Sequence, residues 1–371
     1  MRARWLASAL AVAVAAAVAV VISTSGTARG TDPPTTSTPT TLRPDPAPKS
    51  ITVEWVGDIA FGEQFGLPPG GLSSALAPVK RYLDDADLTM GNLEGTIAVG
   101  GTSKCSAGDS ECFAYEAPPA YAAQLHGLGF RLLNQANNHT LDFGPDAERQ
   151  THESLTAAHI VETGLSGQIV RLTVNGIRIA VLGFAPYKWA NSLLDIPAAQ
   201  ELVRRAKQDA SLVVVIIHAG AEGATKDHVP YGTEYAYGED RGDSRAFTHA
   251  VIDAGASIVL GSGPHVVRGI ERYRGHMIAY SLGDFACWNH LALGGSLSES
   301  AVLRVTLSPT GTVLAGRWIP MTLIEKGLPR YDPTGASTRL VETLSIDDFK
   351  NDRYRIHSNG MIDPSAIAGG A

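Results

Sequence analysis

Five places in this 371-residue chain put a carboxylate, a carboxamide or an imidazole just beyond a short apolar run: Asp58, Glu94, Asn138 with His139, His218, and His265. These are the oxygen and nitrogen donors that hold divalent cations, and an imidazole beside them suits proton transfer. The set carries no thiolate, which favours Mn, Fe or Zn, as one ion or two, over a structural zinc site. Taken singly, each residue has an ordinary use. Asp58 can cap a turn, Glu94 can be a surface charge, and His218 or His265 can be satisfied core histidines. Five coincident placements outweigh those single explanations.

The densest cluster is NQANNHTLDFG, Asn134 to Gly144. It follows the apolar run Phe130 to Leu133, which reads as a buried strand, and precedes Pro145, which suits a first helical turn. Asn138, His139 and Asp142 therefore fall in a strand-to-helix loop, where open α/β sheets bind ligands.

The elements that must position these residues alternate between strands and helices. Ile51–Val56 predicts the first strand, and Ser73–Ala86 has helical spacing. A helix is expected over about 118–128, and Leu172–Phe184 reads as a hairpin turning at Asn175-Gly176. Helices follow at Pro197–Gln208 and Arg245–Ala254. The apolar strand from Leu212 ends in His218 and Glu222, another ends at His265, and Asp284 lies just past a third. Two more strands are expected between Ala301 and about Ile319, and a terminal turn at Ser345–Phe349. Alternation argues an α/β domain, and the strand pairs argue a mixed sheet.

GDIAFG, NLEGTI, NNHTLDFG, HAGAEG, GSGPHVVRGIE and IAYSLGDF, in this order over about residues 51–360, resemble the capsule-synthesis CapA family of poly-γ-glutamate biosynthesis proteins. That resemblance implies a calcineurin-like metallophosphoesterase fold, a two-layered mixed β core flanked by helices. It implies that Asp58 is the first metal aspartate, Glu94 the bridging carboxylate, Asn138 the metal-binding amide, and His218 and His265 imidazole ligands. His139 then matches the catalytic imidazole. Two positions depart from the pattern: Ala60 and Gly263 stand where further imidazoles are expected. Glu222, His228, Asp142, Asp284, Glu239 and Asp243 are the available substitutes. The resemblance also names the partners to expect, poly-γ-glutamate or another anionic envelope polymer and subunits of a membrane synthase.

Composition narrows the classes further. A formal charge of −7 with scattered Lys and Arg gives no nucleic-acid or anionic-membrane footprint. Of three cysteines, Cys105 and Cys112 share a polar loop and are expected to pair in an oxidising compartment. Cys287, in FACW, reads as a buried small hydrophobe.

Arg2 and Arg4 precede an uncharged run from Trp5 to Ile22, so residues 1–30 read as a signal peptide or signal anchor. Residues 31–49 form a Pro/Thr-rich linker, and residues 50–360 the domain. The domain is expected outside the cytoplasmic membrane, either secreted or membrane-anchored. Three functions compete: a metal-dependent hydrolase, a non-catalytic polymer-binding accessory of a membrane synthase, and a sugar- or peptide-binding module without metal. Arg241-Gly242-Asp243 spells an adhesion tripeptide, which we take as chance.

Overall fold

Two β-sheets packed face to face hold the candidate residues along one shared edge region. The structure is a computed structural model, and it describes residues 50–62, 65–109, 112–289 and 293–365. The expected signal segment and linker, residues 1–49, lie outside the described residues.

The first sheet begins with four parallel strands, β1 (Ile51–Ala60), β2 (Leu88–Leu93), β3 (Phe130–Asn134) and β4 (Val161–Thr163). The chain then builds a second sheet from β5 (Val170–Val174), β6 (Ile177–Ala185), β7 (Leu212–His218), β8 (Ile258–Ser262), β9 (Ile270–Tyr273) and β10 (His276–Ala279). It returns to the first sheet with β11 (Asp284–Cys287), β12 (Glu299–Leu307), β13 (Val313–Ile324), β14 (Leu328–Tyr331), β15 (Arg355–Ile356) and β16 (Met361–Asp363). Strand order is β15-β16-β13-β12-β1-β2-β3-β4 in the first sheet and β9-β10-β8-β7-β6-β5 in the second. β1 changes partner partway: residues 51–55 pair antiparallel with β12, and residues 58–60 pair parallel with β11.

Alternation along the strands makes the layers. Ile51, Val53 and Trp55 of β1 meet Ile179, Val181, Val214 and Ile216 of the second sheet in one buried cluster. Each such side chain, fully buried, contributes roughly 1.5–3 kcal/mol. Trp55 also donates its indole N–H to the Gly261 carbonyl at 3.0 Å, tying the sheets together next to the site. On the outer face of the first sheet, Val56 and Ile59 pack with Leu76 of α1 (Gly71–Leu76), Leu125 of α2 (Ala120–Gly127) and Leu155 of α3 (Pro145–Ala157). On the outer face of the second, Val213, Val215 and Ile217 pack with α4 (Ile196–Lys207), α5 (Ser244–Asp253) and Phe349 of α6 (Ala336–Phe349). The result is the two-layered mixed β core flanked by helices.

Several boundaries differ from those expected. The helix over Ser73–Ala86 stops at Leu76, because Pro78 removes a donor and clashes with the preceding turn; only a short 3₁₀ turn at Lys80–Tyr82 follows. The expected terminal turn at Ser345–Phe349 is the last turn of the 14-residue α6. That helix buries Ser337, Thr338 and Ser345 among its apolar residues, which blurs its hydrophobic stripe. The hairpin forms as expected, with Asn175 and Gly176 both at positive φ (53° and 78°) between β5 and β6.

Candidate metal centre and active site

Asp58, Glu94, His265 and Asp284 converge, with one ligand atom from each lying within 4.8 Å of all the others. Asp58 does not follow a strand but sits inside β1, where the pairing registers with β2 and β11 both shift. Such a bulge re-aims a side chain. Glu94 follows β2 directly, and Asp284 opens β11 opposite Asp58. His265 lies three residues beyond β8 in a left-handed turn with φ 59°, a cost a non-glycine bears where the surroundings over-determine it.

All four are buried, and their charges are poorly balanced. Burial, and then the charge of Asp58, pushes Glu94 well above the ordinary carboxylate value. Burial also raises Asp284. For Asp58 burial is outweighed by the His265 hydrogen bond and the nearby imidazoles, and its carboxyl lies below the usual value. Burial opposes charge on His265, but Asp284 and Glu94 overcome it and hold the imidazole well above its ordinary value. Neither oxygen of Glu94, nor Oδ2 of Asp284, nor Oδ1 of Asn138 has a hydrogen-bond partner among the described residues. Three carboxylates, two of them with orphaned oxygens, one imidazole and a buried amide oxygen fit a divalent cation.

The asparagines around this cluster are its scaffold. Asn92 donates to Asp58 Oδ1 at 2.8 Å and accepts from Asn134 and Asn137 at 2.8 and 3.1 Å. His218, ending β7, stands beside the four. Its Nδ1 lies 3.2 Å from Asn92 Nδ2, and its Nε2 lies 3.3 Å from Glu94 Oε1 and 3.5 Å from Arg241 Nη2. Burial holds it well below the ordinary imidazole value.

His139 faces a cavity of about 550 Å³ that it shares with Asn138, His265, Glu222, Arg241, Lys104 and Trp189. Its Nδ1 is 2.9 Å from Asp142 Oδ2. Since that carboxylate can only accept, Nδ1 carries the proton and Nε2 is left with its lone pair. Burial lowers its pKa despite Asp142. Asp142 is thus an orienting carboxylate rather than a fifth member of the cluster, and Lys104 Nζ holds its other oxygen at 2.6 Å.

The remaining candidates are dispersed. Glu222 approaches His265 Nε2 at 3.7 Å and pairs with Arg241 at 2.5 Å. His228 is not brought to the cluster; it is largely exposed and bonds Asp348 of α6 at 2.8 Å. Asp243 caps α5, and Glu239 accepts from the Tyr187 hydroxyl. Cys105 and Cys112 are disulfide-bonded, and Cys287 is free and buried. Gly263 has φ 115°, and a Cβ there would lie 2.8 Å from the Ala219 nitrogen, so this backbone has no room for an imidazole. Ala60 is buried against Tyr115 and Cys287.

Sequence reasoning missed Lys104, Trp189 and Arg241. Trp189 donates to the Asn137 carbonyl at 2.9 Å, and Arg241 is only 1% exposed, which removes the adhesion tripeptide from consideration. No local signal marks them, because each reaches the site from a distant loop.

Known proteins are similar to this chain in sequence. A "Capsule biosynthesis protein CapA" of Bacillus anthracis is 26% identical, over 76% of this chain and 69% of its own. The "PGA biosynthesis protein CapA" of Bacillus subtilis (strain 168) is 30% identical, over 71% of this chain and 69% of its own. Among solved structures, the 5'-nucleotidase precursor from Thermus thermophilus superposes with a TM-score of 0.43 at 15% identity, over 74% of this chain. This chain spans 54% of that protein's length. Residues 52–288 match the family described as "Bacterial capsule synthesis protein PGA_cap", and the chain belongs to that family.

Proposed function

We propose that this protein is an exported, metal-dependent hydrolase-like enzyme of poly-γ-glutamate or a related anionic envelope polymer. The observation that carries the reading is the buried Asp58–Glu94–His265–Asp284 cluster, whose orphaned oxygens lie next to the cavity lined by His139. Asp58, Glu94, Asp284 and His265 would hold the cation, with Asn138 supplying its buried amide oxygen. A bound divalent ion supplies Lewis acidity toward the scissile group and the attacking water. His139, neutral and oriented by Asp142, takes a proton at Nε2 and then returns it to the leaving group. The relatives' printed names place them in capsule and PGA biosynthesis, which supports the substrate class. Arg2, Arg4 and the uncharged run to Ile22 support export.

The test is metal stoichiometry of the purified protein, measured beside turnover of bis-p-nitrophenyl phosphate and of a γ-linked glutamate oligomer. Bound Mn, Fe or Zn with turnover of either substrate is expected. A wild-type protein that takes up no divalent cation ends this reading. It would leave the second one, a non-catalytic polymer-binding accessory of a membrane synthase, which the lack of imidazoles at Ala60 and Gly263 favours. Export is tested by fusing a reporter active only in the cytoplasm after Lys49; strong reporter activity would overturn it.

A further inference from the structure

Arg241 is a buried cation whose guanidinium lines the same cavity as His139 and His265. Its place is fixed before its side chain does anything. Its backbone N–H donates to the Glu234 carbonyl at 2.9 Å, and its carbonyl accepts from Gly220 at 3.0 Å. Glu234 is in turn clamped by both terminal nitrogens of Arg268 at 2.9 and 2.7 Å. The segment is therefore secured without the Arg241 side chain.

What that side chain does is incomplete. Nη1 pairs with Glu222 Oε1, Nη2 stands 3.5 Å from Nε2 of His218, and Nε has no hydrogen-bond partner among the described residues. A guanidinium is a planar fork that matches a carboxylate or phosphate with two parallel hydrogen bonds. A buried fork with a donor unused, beside a cavity, is a half-satisfied anion site. Glu222 is itself a cavity-lining carboxylate, 11% exposed, and therefore the group an incoming anion would replace.

We propose that Arg241 is a specificity-determining residue that binds an anionic group of the substrate, carboxylate or phosphate, in exchange for Glu222. The inference rests on the cavity being the substrate site, as in the proposed function, and not on the cation. It assigns Glu222 the role of an internal stand-in for the ligand, so removing the Glu222 charge strengthens anion binding.

The experiment titrates inorganic phosphate and glutarate into the full-length protein by calorimetry, in manganese-supplemented and in metal-stripped buffer. The expected result is binding of at least one anion by the wild type, a loss of tenfold or more in Arg241→Gln, partial recovery in Arg241→Lys, and severalfold tighter binding in Glu222→Gln. Preference for glutarate identifies a carboxylate, and preference for phosphate a phosphoryl group. Unchanged affinity in Arg241→Gln, no gain in Glu222→Gln, or no anion bound by the wild type in either buffer overturns the inference. If Arg241→Gln does not fold, the Glu222→Gln comparison decides. Metal content is measured on the same samples. A wild type that holds no divalent cation ends the metal-dependent reading, while dependence on Arg241 is still read in the stripped protein.

Discussion

Asp58 and Asp284 stand opposite each other in the parallel register of β1 and β11, and both reach Nδ1 of the same imidazole, His265, at 3.4 and 2.8 Å. Two buried carboxylates this close to one imidazole and to Glu94 need positive charge beyond what His265 supplies. Glu94→Ala, Asp284→Asn and His265→Ala should therefore each reduce bound divalent metal at least tenfold. His139→Ala should retain metal while turnover falls by roughly 10²-fold, the usual contribution of a positioned proton-transfer group. Metal analysis and turnover on the same four preparations check both; metal loss in His139→Ala would place that ring among the ligands.

The Cys105–Cys112 bridge closes a short loop that begins one residue after Lys104, whose amine holds Asp142 at 2.6 Å. In the chain-entropy account a loop of this size is worth about 2–3 kcal/mol. Replacing both cysteines by serine should lower stability by that order in a denaturant melt and loosen the Lys104–Asp142 pair. Thiol labelling of the unfolded, non-reduced protein should find one reactive cysteine, Cys287. Three labelled cysteines would mean the bridge does not form.

Much of this was readable from the residues, and the exceptions have physical causes. Strand ends announce themselves, because an apolar run that stops at a polar residue marks where a sheet meets its loops. Glu94 and His265 were visible for that reason; Asp58 also follows an apolar run, but the strand continues through it to Ala60. Asp284 was only one substitute among several, since nothing local shows that β11 lies alongside the end of β1. His228 had the right chemistry and the wrong partner, because its loop folds toward Asp348 on α6. Arg241 and Lys104 arrive through loops whose paths are set by tertiary hydrogen bonds, and no periodicity records those. Only the last turn of α6, Ser345–Phe349, was expected, as a turn, because the helix buries hydroxyls where a pattern search expects Leu or Val.

Gly57 decides whether Asp58 and Asp284 can meet. A Cβ at Gly57 would lie 1.6 Å from the Gly283 carbonyl oxygen, a backbone atom that cannot swing aside. Gly57→Ala must push β11 away from β1, at a cost of about 3 kcal/mol or more, and should reduce metal binding together with stability. Gly127, near the end of α2, is the control: a Cβ there meets nothing within 4 Å. Gly127→Ala should be neutral or stabilise by about 0.5–1 kcal/mol. Chemical melts and metal content of the two variants make the comparison; equal behaviour would refute the close-approach explanation.

The His228–Asp348 contact ties the segment carrying Arg241 to α6, and its pH dependence has a definite sign. The hydrogen bond to Asp348 raises the His228 pKa from 6.5, burial is the next largest effect and opposes it, and the charges of Asp348, Asp227 and Asp347 add to the rise. A folded-state pKa above the unfolded value means the protonated ring favours the folded protein. That contribution is fully present below about pH 6.5 and is lost as pH rises through the raised folded value. Because the ring is largely exposed, the effect should stay below about 1 kcal/mol. The Val229 amide also donates to Asp348, at 2.9 Å, and does not titrate, so the segment stays docked when the imidazole loses its proton. The measurement is the difference in melting temperature between wild type and His228→Gln from pH 5.5 to 8.5, which cancels every other titrating group. The wild-type advantage should be largest at pH 5.5 and shrink toward zero at pH 8.5. A difference that is flat, or that grows with pH, would show that the contact is not held by charge.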